Sequence, residues 1–195
     1  MATRRHCLPD VSSAIAVRWI DWPGSGLEHL VLREGPDGVS AESVILGPGG
    51  ADAFAARYRI LCDGGWRVRR LEVSLVGADR GLELSSDGAG HWVDRTGTPR
   101  PDLAGAIDVD LSATPFTNTL PIRRLGLQGG QSGTIQVVYV LLPNLTVATA
   151  RQRYTCLEPG RRYRYESLES DFTRDLEVDA AGLVVTYPDL FRRVP

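Results

Sequence analysis

The residues best able to do chemistry are two carboxylates and two guanidiniums near the middle of the chain. Asp108 and Asp110 stand two residues apart, so in an extended backbone they share a face, with Cα atoms about 6.6 Å apart. That spacing suits a hard metal ion or an acid/base pair. Nothing nearby completes either arrangement, because no histidine follows His91. Pairing with Arg123 or Arg124, or capping of loop amides, is the plainer role for both carboxylates. The run from Thr114 to Leu125 carries those arginines. Its prolines, Pro115 and Pro121, bracket Thr117, Asn118 and Thr119. Proline fixes φ and lacks an N–H, so the run reads as a stiff polar loop, neither a central strand nor a helix interior. If the backbone is extended from Ile122 onward, Arg123 and Arg124 face opposite ways. One then meets a ligand while the other locks the loop to Asp108 or Asp110.

Other catalytic patterns are missing. There is no G-x-S-x-G and no P-loop. His6, His29 and His91 lie far apart, and Cys7, Cys62 and Cys156 form no C-x-x-C pair, so neither a zinc site nor a disulfide framework is indicated. No catalytic residue, metal or cofactor is therefore assigned. The one enzymatic alternative is an uncharacterised activity on an amphipathic or sugar substrate using Asp108 and Asp110.

The 195 residues carry a net charge of -2, which gives no electrostatic reason to expect nucleic acid. Every basic side chain is an arginine; there is no lysine. A Schiff-base lysine is excluded, and each cation is a planar guanidinium suited to carboxylate or phosphate. No signal-peptide h-region can be drawn through the N-terminal residues, and no apolar run approaches the roughly 18 residues that span a bilayer. A cytoplasmic protein without a transmembrane segment is expected.

The elements that must position these groups are strands. Residues 1–14 read as a loose lead-in to a single domain over 15–195. Segments near 17–20, 27–34, 39–46, 54–62, 66–77, 80–85, 90–94, 134–142, 145–157, 161–168, 172–179 and 183–187 are set off by turn clusters such as Gly35-Pro36-Asp37-Gly38 and Asp63-Gly64-Gly65. Turns at hairpin spacing with few helical windows predict an all-β fold, an antiparallel incomplete barrel or curved sandwich of about 10–12 strands. The best helical candidate, Asp102–Ala106, is one turn at most. Two stretches echo each other at an offset of 94 residues: Cys62 with Cys156, Arg80 with Arg174 and Gly88 with Gly182. A duplicated meander would explain the echo, and so would chance matching of common strand patterns. In the strand at 66–77, strict alternation puts arginines on both faces, which a sheet with one face lining a polar-mouthed cavity would produce, as would long arginine stems laid over an apolar sheet. Aromatic residues, including Trp66, Tyr163 and Tyr165, run through the strands, and amphipathic rings suit a site meeting both sugar and hydrocarbon.

The run Gly105–Leu125, together with Trp66-Arg67, Gln152-Arg153-Tyr154, Tyr163-Arg164-Tyr165 and Gly182–Phe191, resembles the signature of the bacterial putative glycolipid-binding family, from about residue 15 to the C-terminus. One position departs from that pattern: Ala106 stands where a cysteine is expected. The resemblance implies a β-rich incomplete barrel likened to lipoprotein-carrier folds, and a lipid or glycolipid as partner. It brings no catalytic residue. Sequestering about 12 methylenes gains roughly 10 kcal/mol, of which association consumes at least about 4 kcal/mol, so headgroup contacts would matter. Candidate ligand-binding residues are Trp66, Arg67, Asp108, Thr117, Asn118, Arg123, Arg124, Tyr163 and Tyr165. Arginine would grip phosphate or carboxylate, while Thr117 and Asn118 would meet sugar hydroxyls.

Overall fold

The chain meanders outward through seven strands, crosses its own interior, and meanders back to pair its last strand with its first. The computed structural model describes residues 14–50 and 53–195; the expected lead-in falls almost wholly outside them. The first meander is β1 (Ala14–Asp21), β2 (Leu27–Gly35), β3 (Gly38–Leu46), β4 (Ala55–Cys62), β5 (Val68–Leu75), β6 (Gly81–Ser86) and β7 (Trp92–Asp94). β8 (Asp108–Leu111) lies in the crossing segment. The second meander is β9 (Ser132–Leu141), β10 (Thr146–Glu158), β11 (Arg162–Ser167), β12 (Thr173–Val178), β13 (Val184–Tyr187) and β14 (Phe191–Val194). All belong to one curved sheet ordered β7-β6-β5-β4-β3-β2-β1-β14-β13-β12-β11-β10-β9-β8. Neighbours are antiparallel except β8 and β9, which run parallel, and the sheet does not close into a barrel. The strands number fourteen rather than ten to twelve: β8 lies in a stretch where no strand is expected, and Phe191-Arg192-Arg193-Val194 of β14 shows no apolar face of its own.

The sheet encloses two cores. One gathers Trp19, Tyr58, Trp92, Phe116 and Leu120; the other gathers Tyr154, Tyr163, Tyr165, Tyr187 and Ile122. The crossing segment, residues 101–125, is the wedge between them. It contains a 3-10 turn at Pro101–Leu103, β8, a second 3-10 turn at Phe116–Asn118 and the helix α1 (Thr119–Leu125). The expected stiff loop is thus a 3-10 turn running into a helix. Pro121 is tolerated because it stands in the first turn, where backbone N–H groups have no partner within the helix. Gly126, at φ 56, ends the helix, and Arg123 and Arg124 fall in its last turn, where cations favour the helix dipole.

The echo at 94 residues is geometric as well. Trp66 and Gly160 both take left-handed conformations (φ 62 and 67), and Gly88 and Gly182 share φ 77. Each half has a register shift beside its cysteine, at Leu61/Cys62 and at Cys156/Glu158. The shift in β4–β5 corrects the expected alternation: Val68, Leu71 and Val73 are all buried. An extra residue between Val68 and Leu71 re-aims the strand, so arginines need not lie on the core face.

The wedge is fastened to β7 by backbone contact. The Gly105 N–H donates to the Gly90 carbonyl at 2.9 Å, and Trp92 Nε1 donates to the Ala106 carbonyl at 2.8 Å. Gly90 has φ +96, and a Cβ there would lie 2.8 Å from Gly105 Cα. Gly90→Ala is expected to lower unfolding free energy by about 1–3 kcal/mol, read by chemical denaturation.

Candidate functional site

Antiparallel strands send successive loops to alternate ends of a sheet, and the two ends here differ. One end is closed. The Arg123 guanidinium lies 4.6 Å from the Trp66 ring centroid, bonds Glu34 at 3.0 Å and donates to the Ala181 carbonyl. Tyr163 is buried at the same end, its hydroxyl accepting the Gly160 N–H. Arg67 is exposed on the β4–β5 turn. Four of the expected ligand residues, Trp66, Arg67, Arg123 and Tyr163, thus sit at the closed end.

In the interior, Arg124 grips Asp108 with two nitrogens, Nε at 3.0 Å and Nη2 at 2.6 Å. Asp108 is fully buried. Burial pushes its carboxyl up and Arg124 pulls it down. The locking role expected for one arginine belongs to Arg124. Because this stretch is helical, successive side chains turn by about 100°, and Arg123 is held by protein partners as well.

The other end opens into two spaces. A polar cleft of about 350 Å³ is lined by Asp110, Asn118, Tyr139, Gln152, Tyr165 and Tyr187 among others. Two of the expected residues, Asn118 and Tyr165, line it. Thr117 stands behind, donating to Asp110 Oδ1 at 3.0 Å, while Gln152 Nε2 donates to Oδ2 at 2.6 Å. No described cation pairs with Asp110. Burial raises its carboxyl, against the pull of Gln152 and Thr117. Tyr154 donates to Asn118 Oδ1 at 2.8 Å, and Asn118 Nδ2 donates to the Pro115 carbonyl, so the amide is fixed. Tyr165 contacts Tyr154, Phe172 and Tyr187 through edge-on or tilted rings, and Tyr187 contacts Phe191. A carboxylate, fixed amides and aromatic faces in one cleft make a surface for a polyol. Hydroxyls meet the planar polar groups while C–H faces meet rings.

The second space is an apolar cavity of about 310 Å³, lined chiefly by Trp19, Leu27, Ile45, Leu46, Phe54, Ala113, Leu142 and Phe191. Glu28 also lines it and is buried. Its Oε1 accepts from Ser43 Oγ and Tyr58 Oη, each at 2.7 Å, while Oε2 has no hydrogen-bond partner among the described residues. Burial raises the Glu28 pKa to about 7, against the hydroxyls of Thr114, Tyr58 and Ser43. The sequence did carry a signal for this cluster. Glu28 shares strand parity with Leu30 and Leu32, Ser43 with Ala41 and Ile45, and Tyr58 with Ala56 and Ile60, so each is a polar group on a core face. A wider depression of about 1330 Å³ covers the outward face of β2–β6. Its Arg59 pairs with Glu42, and such alternation of charge is that of a solvated sheet face.

Residues 16–193 match the family described as Putative glycolipid-binding. The chain belongs to that family. A crystal structure of a DUF1089 family protein from Pseudomonas aeruginosa is similar over the full length, with 36% identity, 100% of this chain and 99% of that chain covered, and a TM-score of 0.76. Comparison with curated proteins gives no match. Ala106, where the family pattern led us to expect cysteine, is buried in the first core.

Two outcomes follow from these carboxylates. Arg124→Met should cost about 3–5 kcal/mol by leaving Asp108 buried without its cation, whereas Asp108→Leu with Arg124→Met should recover most of that loss. A double-mutant cycle in urea measures both. For Glu28, the folded-state pKa of about 7 lies above the ordinary 4.5. Stability is therefore fully present below the ordinary value and falls as pH rises through 7, by on the order of 3 kcal/mol. Glu28→Gln should flatten that part of the stability–pH profile.

Proposed function

We propose that this protein binds a glycolipid-like amphiphile without transforming it, the hydrocarbon in the apolar cavity and the sugar in the polar cleft. One observation carries the reading: Ser112 and Phe191 line both spaces, so an apolar and a polar compartment adjoin at one open end. Each volume is at the lower end of the range for small-molecule sites. The family description points the same way. Within this reading Asp110, Asn118 and Gln152 meet hydroxyls, Tyr165 and Tyr187 supply ring faces, and Thr117 orients Asp110. Asp108 and Arg124 hold the wedge behind the cleft, and Trp66, Arg67, Arg123 and Tyr163 shape the closed end. Cys62 and Cys156, buried and free of any disulfide among the described residues, support a reducing compartment such as the cytoplasm.

The test is calorimetric titration with alkyl glycosides of increasing chain length, alongside the free sugar and the matching alkanol. Affinity should rise about fourfold per methylene until the cavity is full, and both half-molecules should bind far more weakly. Ala113→Leu, which fills part of the cavity, should shorten the optimal chain. Affinity independent of chain length would sink the proposal.

A further inference from the structure

Seven large apolar side chains are exposed among the described residues, and six of them gather at the open end: Trp22, Leu27, Leu46, Val76, Leu141 and Leu190. Their gathering follows from topology, since the loops at 22–26, 47–54, 76–80, 142–145 and 188–190 all leave the sheet on that side. Contacts join them into a ring. Leu27 stands directly opposite Leu46 across β2–β3. The Trp22 N–H donates to the Leu190 carbonyl at 2.8 Å. The Val76 N–H donates to Ala55, which itself faces Leu46. Arg80 Nη2 donates to the Asn144 carbonyl at 2.7 Å, carrying the Val76 loop to the hairpin that follows Leu141. The closed end contributes none of the seven.

We propose that this ring is a membrane-docking surface through which the cavity is loaded, and that it engages an uncharged bilayer face. The proposal rests on the amphiphile reading of the cavity. Leu27, Leu46 and Leu190 belong both to the ring and to the walls of the two spaces, so the exposed apolar surface continues into the cavity. An occupant of this end must therefore cover a ring of separate loop tips and still feed hydrocarbon through its centre. A lipid surface does both; a folded partner or a second copy would plug the opening. The loops at 22–26 and 142–145 contain no charged residue, and those at 47–54, 76–80 and 188–190 carry Asp52, Asp79, Arg80 and Asp189, so there is no basic cluster to draw the ring to anionic headgroups. Trp22 is 43% exposed, and an indole with one apolar side and one polar edge settles at the headgroup level.

Trp22 is also the reporter. Trp19, Trp66 and Trp92 are each 5% exposed or less, so a solvent-dependent change in emission belongs to Trp22. The full chain added to phosphatidylcholine vesicles should show a blue shift, quenching by brominated acyl chains, and co-sedimentation that salt barely changes. Leu141→Ser with Val76→Ser should lower vesicle partitioning by about tenfold while leaving the alkyl glycoside titration unchanged, since neither residue lines the cavity or the cleft. Absence of both blue shift and co-sedimentation would overturn the docking surface. So would binding confined to anionic vesicles and abolished by salt, or a solution dimer that the double variant dissociates. Glycoside binding without vesicle binding removes the docking surface and keeps the amphiphile reading. Vesicle binding without glycoside binding removes the loading role.

Discussion

The grip of Arg124 on Asp108 is the contact on which the two halves of this molecule depend. A sheet that pairs its first strand with its last curves around an interior that side chains from the strands alone do not fill. The wedge at 101–125 fills it and brings polar backbone and a carboxylate with it. Asp108, fully buried, is held by a guanidinium only 15% exposed. A buried pair of this kind gains little over an apolar replacement, but loss of either partner strands a charge. Its value is therefore positional. It fixes α1 against β8, and with α1 go Asn118 at one end of the helix and Arg123 at the other.

From that fixed wedge the asymmetry of the two ends follows. Arg123 reaches Trp66, Glu34 and Ala181, and so closes one end with a stacked guanidinium. Trp66 holds a left-handed conformation at φ 62, where its counterpart in the other half is Gly160. Such a conformation costs a bulky residue on the order of 1–3 kcal/mol and persists where its surroundings over-determine it. Burial of the ring and the arginine above it supply that determination. At the opposite end, the 3-10 turn aims Asn118 and Thr117 toward the second meander. There Asn118 meets Tyr154, Thr117 bonds Asp110 of β8, and the cleft forms around them. The arginines that look most like ligand grips are spent on architecture, and the site is left to neutral amides, hydroxyls and one unpaired carboxylate.

Much of this was legible in the residues, and the failures have physical causes. Turn clusters of Gly, Pro and Asp marked the hairpins, because few other residues take those backbone angles. The family signature was legible too, since its central run is long and unusual. The helix α1 was not, because Pro121 argues against a helix interior yet is harmless in a first turn. β14 was not, because Phe191-Arg192-Arg193-Val194 lacks an apolar face by itself. Arg193 finds its partners only in the fold, bonding Asp179 and the carbonyls of Leu183 and Val184. The mixed arginine faces of β5 dissolved once a bulge shifted the register. Glu28 was not singled out, although its parity with Leu30 and Leu32 places it on the core face.

Under the proposed reading, the two acids of this end favour an amphiphile over a plain hydrocarbon. Asp110 is half-buried and rests on two neutral donors, and a carboxylate has room for more than two. A hydroxylated ligand entering the cleft supplies further donors in place of water, whereas an alkane supplies none and would strip solvent from the charge uncompensated. Glu28 sets a related condition on the other side, where the cavity is mostly apolar and Oε2 has no partner among the described residues. A chain packed against it gains from Trp19, Ile45 and Phe54 most fully when the carboxyl is neutral. The two acids thus pull in different directions. One rewards polar groups in the cleft at any pH where it is ionised, and the other tunes the hydrocarbon compartment as it titrates near neutrality. Separate compartments with separate electrostatics are what the proposed reading requires of one small opening that is to hold both ends of an amphipathic molecule.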